Sequence, residues 1–182
     1  MRRDIPPYSQ YLDVKNALWR SRSCGIVALK MVLEYWYRKG ELKRTPPSIP
    51  ALNRAARKAG VYIPNIGWSH RGLALCARHL GADGKNFDWF SLTPNAALKK
   101  LLPLLRRGPV IASVYRNPKR REGGHLVVVT DIANDRVHFL DPGAKARARI
   151  PCILSTRMFC IAWKRRGIVI GPRLRNRGKS VH

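Results

Sequence analysis

Between Ile26 and Tyr37 the chain carries only two charged residues, Lys30 and Glu34, and the next charge, Arg38, stands just beyond. These three lie at i, i+4 and i+8, so a helix through the segment has one narrow polar stripe and apolar surface elsewhere. A helix of that kind is stable only when enclosed. The segment therefore predicts a central helix beginning at Cys24, with Ser21 and Ser23 available as N-caps and Gly40 to close it.

The remaining pattern supplies what surrounds that helix. Helices are expected over 48–59 and 69–79, joined by a loop containing Pro64. Thr93-Pro94 starts another helix, with Thr as the cap and Pro in the first turn, and Pro103 is expected to bend or end it. An apolar strand follows over 110–115. A hairpin is expected from 125–132 and 136–140 around Asn134-Asp135, then a short helix near 155–163 and a last strand over 168–170. Helices come first and antiparallel strands later, which indicates an α+β fold. With 182 residues, one domain over 1–170 and a basic tail over 171–182 account for the chain.

The four cysteines, Cys24, Cys76, Cys152 and Cys160, have no metal-ligand spacing, and the closest pair stands eight apart. They read as free thiols, and nothing calls for a metal or an organic cofactor. Cys24 differs from the others by position. A helix N-terminus offers partial positive charge and unpaired N–H groups, which favour a thiolate. About a hundred residues later, Gly123-Gly124-His125 opens a strand and can bring an imidazole as general base. Asp141, in Leu140-Asp141-Pro142-Gly143, ends the paired strand and is the natural group to orient that imidazole. Alternation adds a condition. His125 and Asp141 share a sheet face only if opposed residue numbers sum to an even value. A three-residue connection, with Ile132 opposite Arg136, satisfies this; a strict two-residue turn does not. An odd loop or a compensating bulge is therefore expected.

The order Tyr8-Ser9-Gln10, Ser23-Cys24-Gly25-Ile26-Val27-Ala28, Gly124-His125-Leu126-Val127 and Leu140-Asp141-Pro142 resembles the papain-like cysteine peptidases. Within them it is most similar to the bacteriocin-processing, double-glycine leader peptidases and their stand-alone relatives, over residues 5–170. The resemblance implies a Cys-bearing helix packed on a C-terminal antiparallel sheet. It also implies hydrolysis of peptide or related amide bonds in a peptide or protein substrate. Cys24 would be the nucleophile, His125 the general base and Asp141 the orienting residue, with Gln10 and the Cys24 N–H as oxyanion donors. Two features depart from the pattern. The Gln10-to-Cys24 separation is longer than usual, with Asn16 a fallback donor, and Ser23 stands where relatives often have an acid. The same residues would serve transglutamination or deamidation.

Charge raises a rival reading. There are 36 Lys and Arg against 10 Asp and Glu, a net +26, and no acid follows Asp141. Such an excess attracts nucleic acid or an anionic membrane surface without any particular fold, and a non-catalytic anion-binding module would suffice for it. No recognition motif accompanies the charge, however. The loop between 48–59 and 69–79 is longer than the turn of about 3–4 residues in a helix-turn-helix. Arg116, Lys119, Arg120 and Arg121 precede His125 and are expected to border its cleft, which suits acidic substrates; a solvated basic face is the plainer alternative. The longest stretch free of charge is twelve residues, 59–70, too short to span a bilayer. No apolar segment follows Arg2-Arg3, so a cytoplasmic location is expected.

Overall fold

The computed structural model describes residues 4–173. Helix α1 (Ala17–Arg20) is a single turn, and α2 (Cys24–Arg38) is the enclosed helix expected from its composition. Every residue from Cys24 to Leu33 is buried. The Lys39 N–H closes the C-terminus on the carbonyls of Tyr35 and Tyr37, and Gly40 reverses the chain at φ +74°.

Helix α3 (Ile49–Lys58) is capped by Ser48, and α4 (His70–His79) by Ser69. Between them the Pro64 loop forms a small hairpin, β1 (Tyr62–Ile63) with β2 (Gly67–Trp68). The other elements are β3 (Ala82–Asp88), α5 (Pro94–Arg107), β4 (Val110–Val114), β5 (His125–Ala133) and β6 (Arg136–Leu140). They are followed by β7 (Pro151–Ser155), α6 (Thr156–Ala162) and β8 (Trp163–Pro172). Six strands form one antiparallel sheet in the order β3-β8-β4-β5-β6-β7.

The sheet is apolar on both faces, and alternation sorts its residues. Ile111, Leu126, Val128, Leu140, Ile168 and Ile170 pack with α2, α3 and α4. Val110, Ala112, Val127, Val129, Val137 and Phe139 pack with Ala97, Leu101 and Leu105 of α5 and with Phe159 of α6. Helix α2 thus lies between the sheet and the other N-terminal helices, which explains why its apolar surface runs almost all round. Its polar stripe is an ion-pair row at the edge of this core. Lys30 Nζ donates to Pro46 O at 3.1 Å and sits 2.7 Å from Glu34; Glu34 also meets Arg38 at 2.9 Å and accepts from the Tyr8 hydroxyl at 3.0 Å.

The hairpin settles the parity condition through its second route. The turn has two residues, Asn134 and Asp135, both at positive φ, with Ala133 opposite Arg136. A bulge between Val129 and Asp131 then shifts the register, so that Val128 faces Leu140. Continued by one step, this register sets Asp141 against Val127, on the face that His125 shares.

Several expectations are corrected. Helix α5 does not end at Pro103. Leu101 and Leu105 stay buried on either side, while Pro103 itself is exposed, where the carbonyl freed by the missing N–H costs least. Strands β3 and β7 were not expected, because Ala82-Asp-Gly-Lys-Asn-Phe-Asp88 has no clear apolar alternation. Instead β3 pairs along its whole length with β8. Strand β8 (Trp163–Pro172) is longer than 168–170, and its pairing with β3 takes in Arg166 at one end and Pro172 at the other. Residues 174–182, where most of the tail is expected, lie outside the described residues. Among the described residues no helix is long and apolar enough to cross a membrane.

The side chains of Lys30 and Glu34 are only 11% and 15% exposed, so removing one strands the other in the core edge. Glu34→Ala is expected to lower stability by about 3 kcal/mol, as for other broken buried pairs. Replacing both Lys30 and Glu34 by Met should recover most of that. Denaturation midpoints of the single and double variants check it.

Candidate active site

Cys24 is the first residue of α2, where helix N–H groups have no intrahelical acceptors. Ser23 occupies the N-cap position but does not cap. Its hydroxyl donates to Trp19 O at 2.7 Å and accepts from Asn53 Nδ2 at 3.1 Å, because the buried α1–α2 junction needs those bonds. The positive end of α2 therefore stays uncovered beside the thiol. Gly25 is required for packing: a Cβ there would lie 2.8 Å from the Trp68 ring. The Trp68 indole in turn donates to Arg22 O at 2.5 Å, which pins the chain just ahead of Cys24.

His125 opens β5 and Asp141 follows β6. His125 Nε2 and Asp141 Oδ1 are 2.6 Å apart. The same oxygen accepts the Gly143 N–H at 2.7 Å, and the Asp141 N–H donates to Ile150 O at 2.8 Å. A Cβ on Gly143 would lie 3.0 Å from Asp141 Oδ1 and 3.1 Å from His125 Nε2, so the Pro-Gly turn lets the backbone approach the pair closely. With Nε2 committed to Asp141, Nδ1 is the ring nitrogen left for the thiol. Nδ1 is buried and makes no hydrogen bond of good geometry.

The titration behaviour matches this arrangement. Burial pushes the Cys24 thiol up, but the neighbouring His125 imidazole and its charge, the Leu126 backbone and Arg116 together bring it below its ordinary value. Burial likewise works against the His125 imidazolium, yet Asp141 and Cys24 raise it to about 9. For Asp141, burial is outweighed by His125, the Gly143 N–H and Arg116, and its carboxyl is held below the usual range. Cys76, Cys152 and Cys160 are all raised, with burial the largest cause in each. Only Cys24 among the four is lowered.

Gln10 is placed behind the pair. Its N–H donates to Pro142 O at 2.8 Å, the residue is 1% exposed, and its Oε1 has no partner. It is not among the residues lining the cleft into which Cys24 and His125 open. Asn16 is exposed and caps α1 by accepting the Trp19 N–H, so its amide serves the helix.

The cleft has a volume of about 1140 Å³ and runs between the helices and the sheet. Trp19, Tyr62 and Trp68 form an edge-packed aromatic wall, with ring centroids 4.9 to 6.2 Å apart. Of the basic residues expected at its border, only Arg116 lines it; Lys119, Arg120 and Arg121 do not. Arg54, Arg57 and Lys58 from α3, and Lys164 and Arg166 from β8, line it instead. No sequence signal marked them, since they belong to segments far apart in the chain.

Alkylation across pH tests the pairing. Cys24 is expected to react well below pH 9.0, the ordinary thiol value, whereas the other three should react only above it. His125→Ala should remove the advantage of Cys24. Peptide mapping of the modified protein reads both.

The family model described as Peptidase_C39 like family matches residues 2–169. Among solved structures, the chain is similar to a double glycine motif protease from an AMS/PCAT transporter, in complex with the leader peptide. The TM-score is 0.60 at 18% identity, covering 92% of this chain and 91% of that one. It is also similar to the peptidase domain of Streptococcus ComA, a bi-functional ABC transporter involved in a quorum sensing pathway. There the TM-score is 0.56 at 20% identity, covering 84% of this chain and 93% of that one. The likeness is one of fold, the papain-like placing of a Cys-bearing helix on an antiparallel sheet. No curated protein sequence matches the chain.

Proposed function

Since the chain belongs to the Peptidase_C39 like family of cysteine peptidases, we propose that it hydrolyses peptide bonds with Cys24 as nucleophile, His125 as acid and base, and Asp141 as orienting residue. The observation that carries this reading is the 2.6 Å contact of His125 Nε2 with Asp141, which leaves Nδ1 for the Cys24 thiol. The relative held in complex with a leader peptide makes a peptide the substrate class carried over to this chain.

In the resting pair the proton resides on His125, whose value is raised to about 9, and the sulfur is a thiolate. The thiolate attacks the scissile carbonyl carbon and the carbonyl oxygen takes up negative charge. That charge lies at the N-terminus of α2, where the Cys24 N–H donates to it. Gln10 is the second donor in this reading. Its amide Nε2 would make that donation; the side chain is buried, and its backbone N–H to Pro142 O holds it one residue beyond Asp141. The C–N bond breaks as the Nδ1 proton passes to the leaving amine, which leaves a thioester on Cys24. Neutral His125 then removes a proton from water, and the hydroxide displaces the sulfur. Thiolate and imidazolium are restored.

The working form lies between the lowered value of Cys24 and the raised value of His125. Below that range the sulfur is protonated; above about pH 9 the imidazolium is lost. A bell-shaped kcat/KM profile is therefore expected, with an alkaline limb near 9. Asp141→Asn keeps an acceptor but removes the charge that raises His125. The alkaline limb should move to lower pH, so that at pH values above the new limb the rate falls about tenfold for each unit lost. Cys24→Ala should lower kcat/KM by roughly four orders of magnitude. Mass analysis must find products heavier by one water. A profile unchanged by Asp141→Asn, or turnover surviving Cys24→Ala, would overturn the assignment.

A further inference from the structure

The cleft that holds Cys24 and His125 is lined by seven Lys and Arg residues and by no Asp or Glu. Arg22, Arg54, Arg57 and Lys58 stand on the helical wall, and Arg116, Lys164 and Arg166 on the sheet wall. Among the described residues only Arg166 has a carboxylate partner, Asp88 at 2.8 Å. Elsewhere in the fold, ion pairs tie Glu34 to Lys30 and Arg38, Asp13 to Arg147 and Asp4 to Lys39, all of them cations outside the cleft.

Like charges gathered in one concave site repel one another and raise the local potential. Two neighbouring groups register that potential. Lys164 is lowered by burial and by Arg166, and His70 is lowered by burial, Arg166 and Lys164. Two of the cations are held over aromatic rings rather than by acids. Arg57 lies 4.1 Å over the Trp19 ring, and Lys164 lies 4.7 Å over Tyr115. Lys164 Nζ comes within 3.7 Å of where a Gly124 Cβ would be, next to His125. Arg116 is close enough to act on both Cys24 and Asp141. The positive potential therefore reaches the reacting atoms and continues along the helical wall.

We infer that the cleft selects acidic peptides, with carboxylates flanking the scissile bond read by Arg116 and Lys164, and carboxylates further along read by Arg54, Arg57 and Lys58. This rests on the peptidase reading above and specifies its substrate class. The aromatic wall favours a peptide over a single-stranded nucleic acid. Base stacking needs open ring faces, yet Arg57 covers Trp19, Trp68 is 8% exposed, and the three rings pack edge to face or tilted on one another.

The test separates binding from turnover. Fluorescein-labelled peptides differing only in Glu against Gln are titrated into the Cys24→Ala protein, and the unlabelled pair is offered to the wild type. The Glu peptide should bind about tenfold tighter at about 0.1 M salt, and the advantage should largely vanish at about 1 M, where the Debye length falls from about 10 to about 3 Å. Arg54→Gln with Lys58→Gln, both exposed surface changes, should reduce the Glu-to-Gln ratio. Equal binding of the two peptides overturns the inference, as does an oligothymidylate of equal charge that displaces the Glu peptide more readily than the peptide displaces it. Selective binding of the Glu peptide without wild-type cleavage upholds the inference and overturns the peptidase reading alone.

Discussion

One extra residue in β5 determines whether His125 and Asp141 can meet. A two-residue turn leaves paired strands with a fixed alternation, and under that alternation the two side chains would emerge on opposite faces of the sheet. The bulge between Val129 and Asp131 reverses the parity for the far half of the hairpin. Strand β6 carries no bulge and alternates unbroken, so Val137 and Phe139 both face the α5 side of the core. Placing the irregularity within β5, clear of the turn and of His125, preserves both the tight turn and the contact of 2.6 Å at the strand ends.

The pair gains its chemistry from a competition between burial and polar contacts. Burial by itself would keep the Cys24 thiol protonated and the His125 imidazole neutral, the least reactive combination. The uncovered N-terminus of α2, the Asp141 carboxylate and the Gly143 N–H that steadies it all act in the opposite direction. Arg116 contributes to both the site and its surroundings, because it favours the anionic forms of Cys24 and Asp141 while lining the cleft. The same positive potential that would attract an acidic peptide would thus also favour the thiolate of Cys24, the proposed nucleophile.

Local rules made much of this readable. The Lys30, Glu34, Arg38 spacing announced an enclosed helix, and α2 is enclosed; Thr93 announced a helix start and caps α5, and the helices expected over 48–59 and 69–79 are present as α3 and α4. The hairpin carrying His125 was legible from its apolar run and its turn residues. Ser23 was misread as a cap because the competing partners of its hydroxyl, Trp19 O and Asn53, come from α1 and α3. Strands β3 and β7 were missed because a strand at the edge of a sheet needs little apolar alternation of its own when the neighbouring strand supplies the pairing.

The amino-acid order alone determined a buried helix headed by a cysteine, a later strand headed by a histidine, and an aspartate one hairpin away, since periodicity, caps and turn residues act over a few neighbours. Whether those three groups converge was decided in three dimensions, by the bulge in β5 and by the packing of α2 across the sheet. The basic cleft was decided there as well: α3 and β8 are more than a hundred residues apart in sequence, and only folding around α2 sets their charges on opposite walls of one groove. Local preference depends on adjacent side chains, whereas an electrostatic field sums over everything nearby in space.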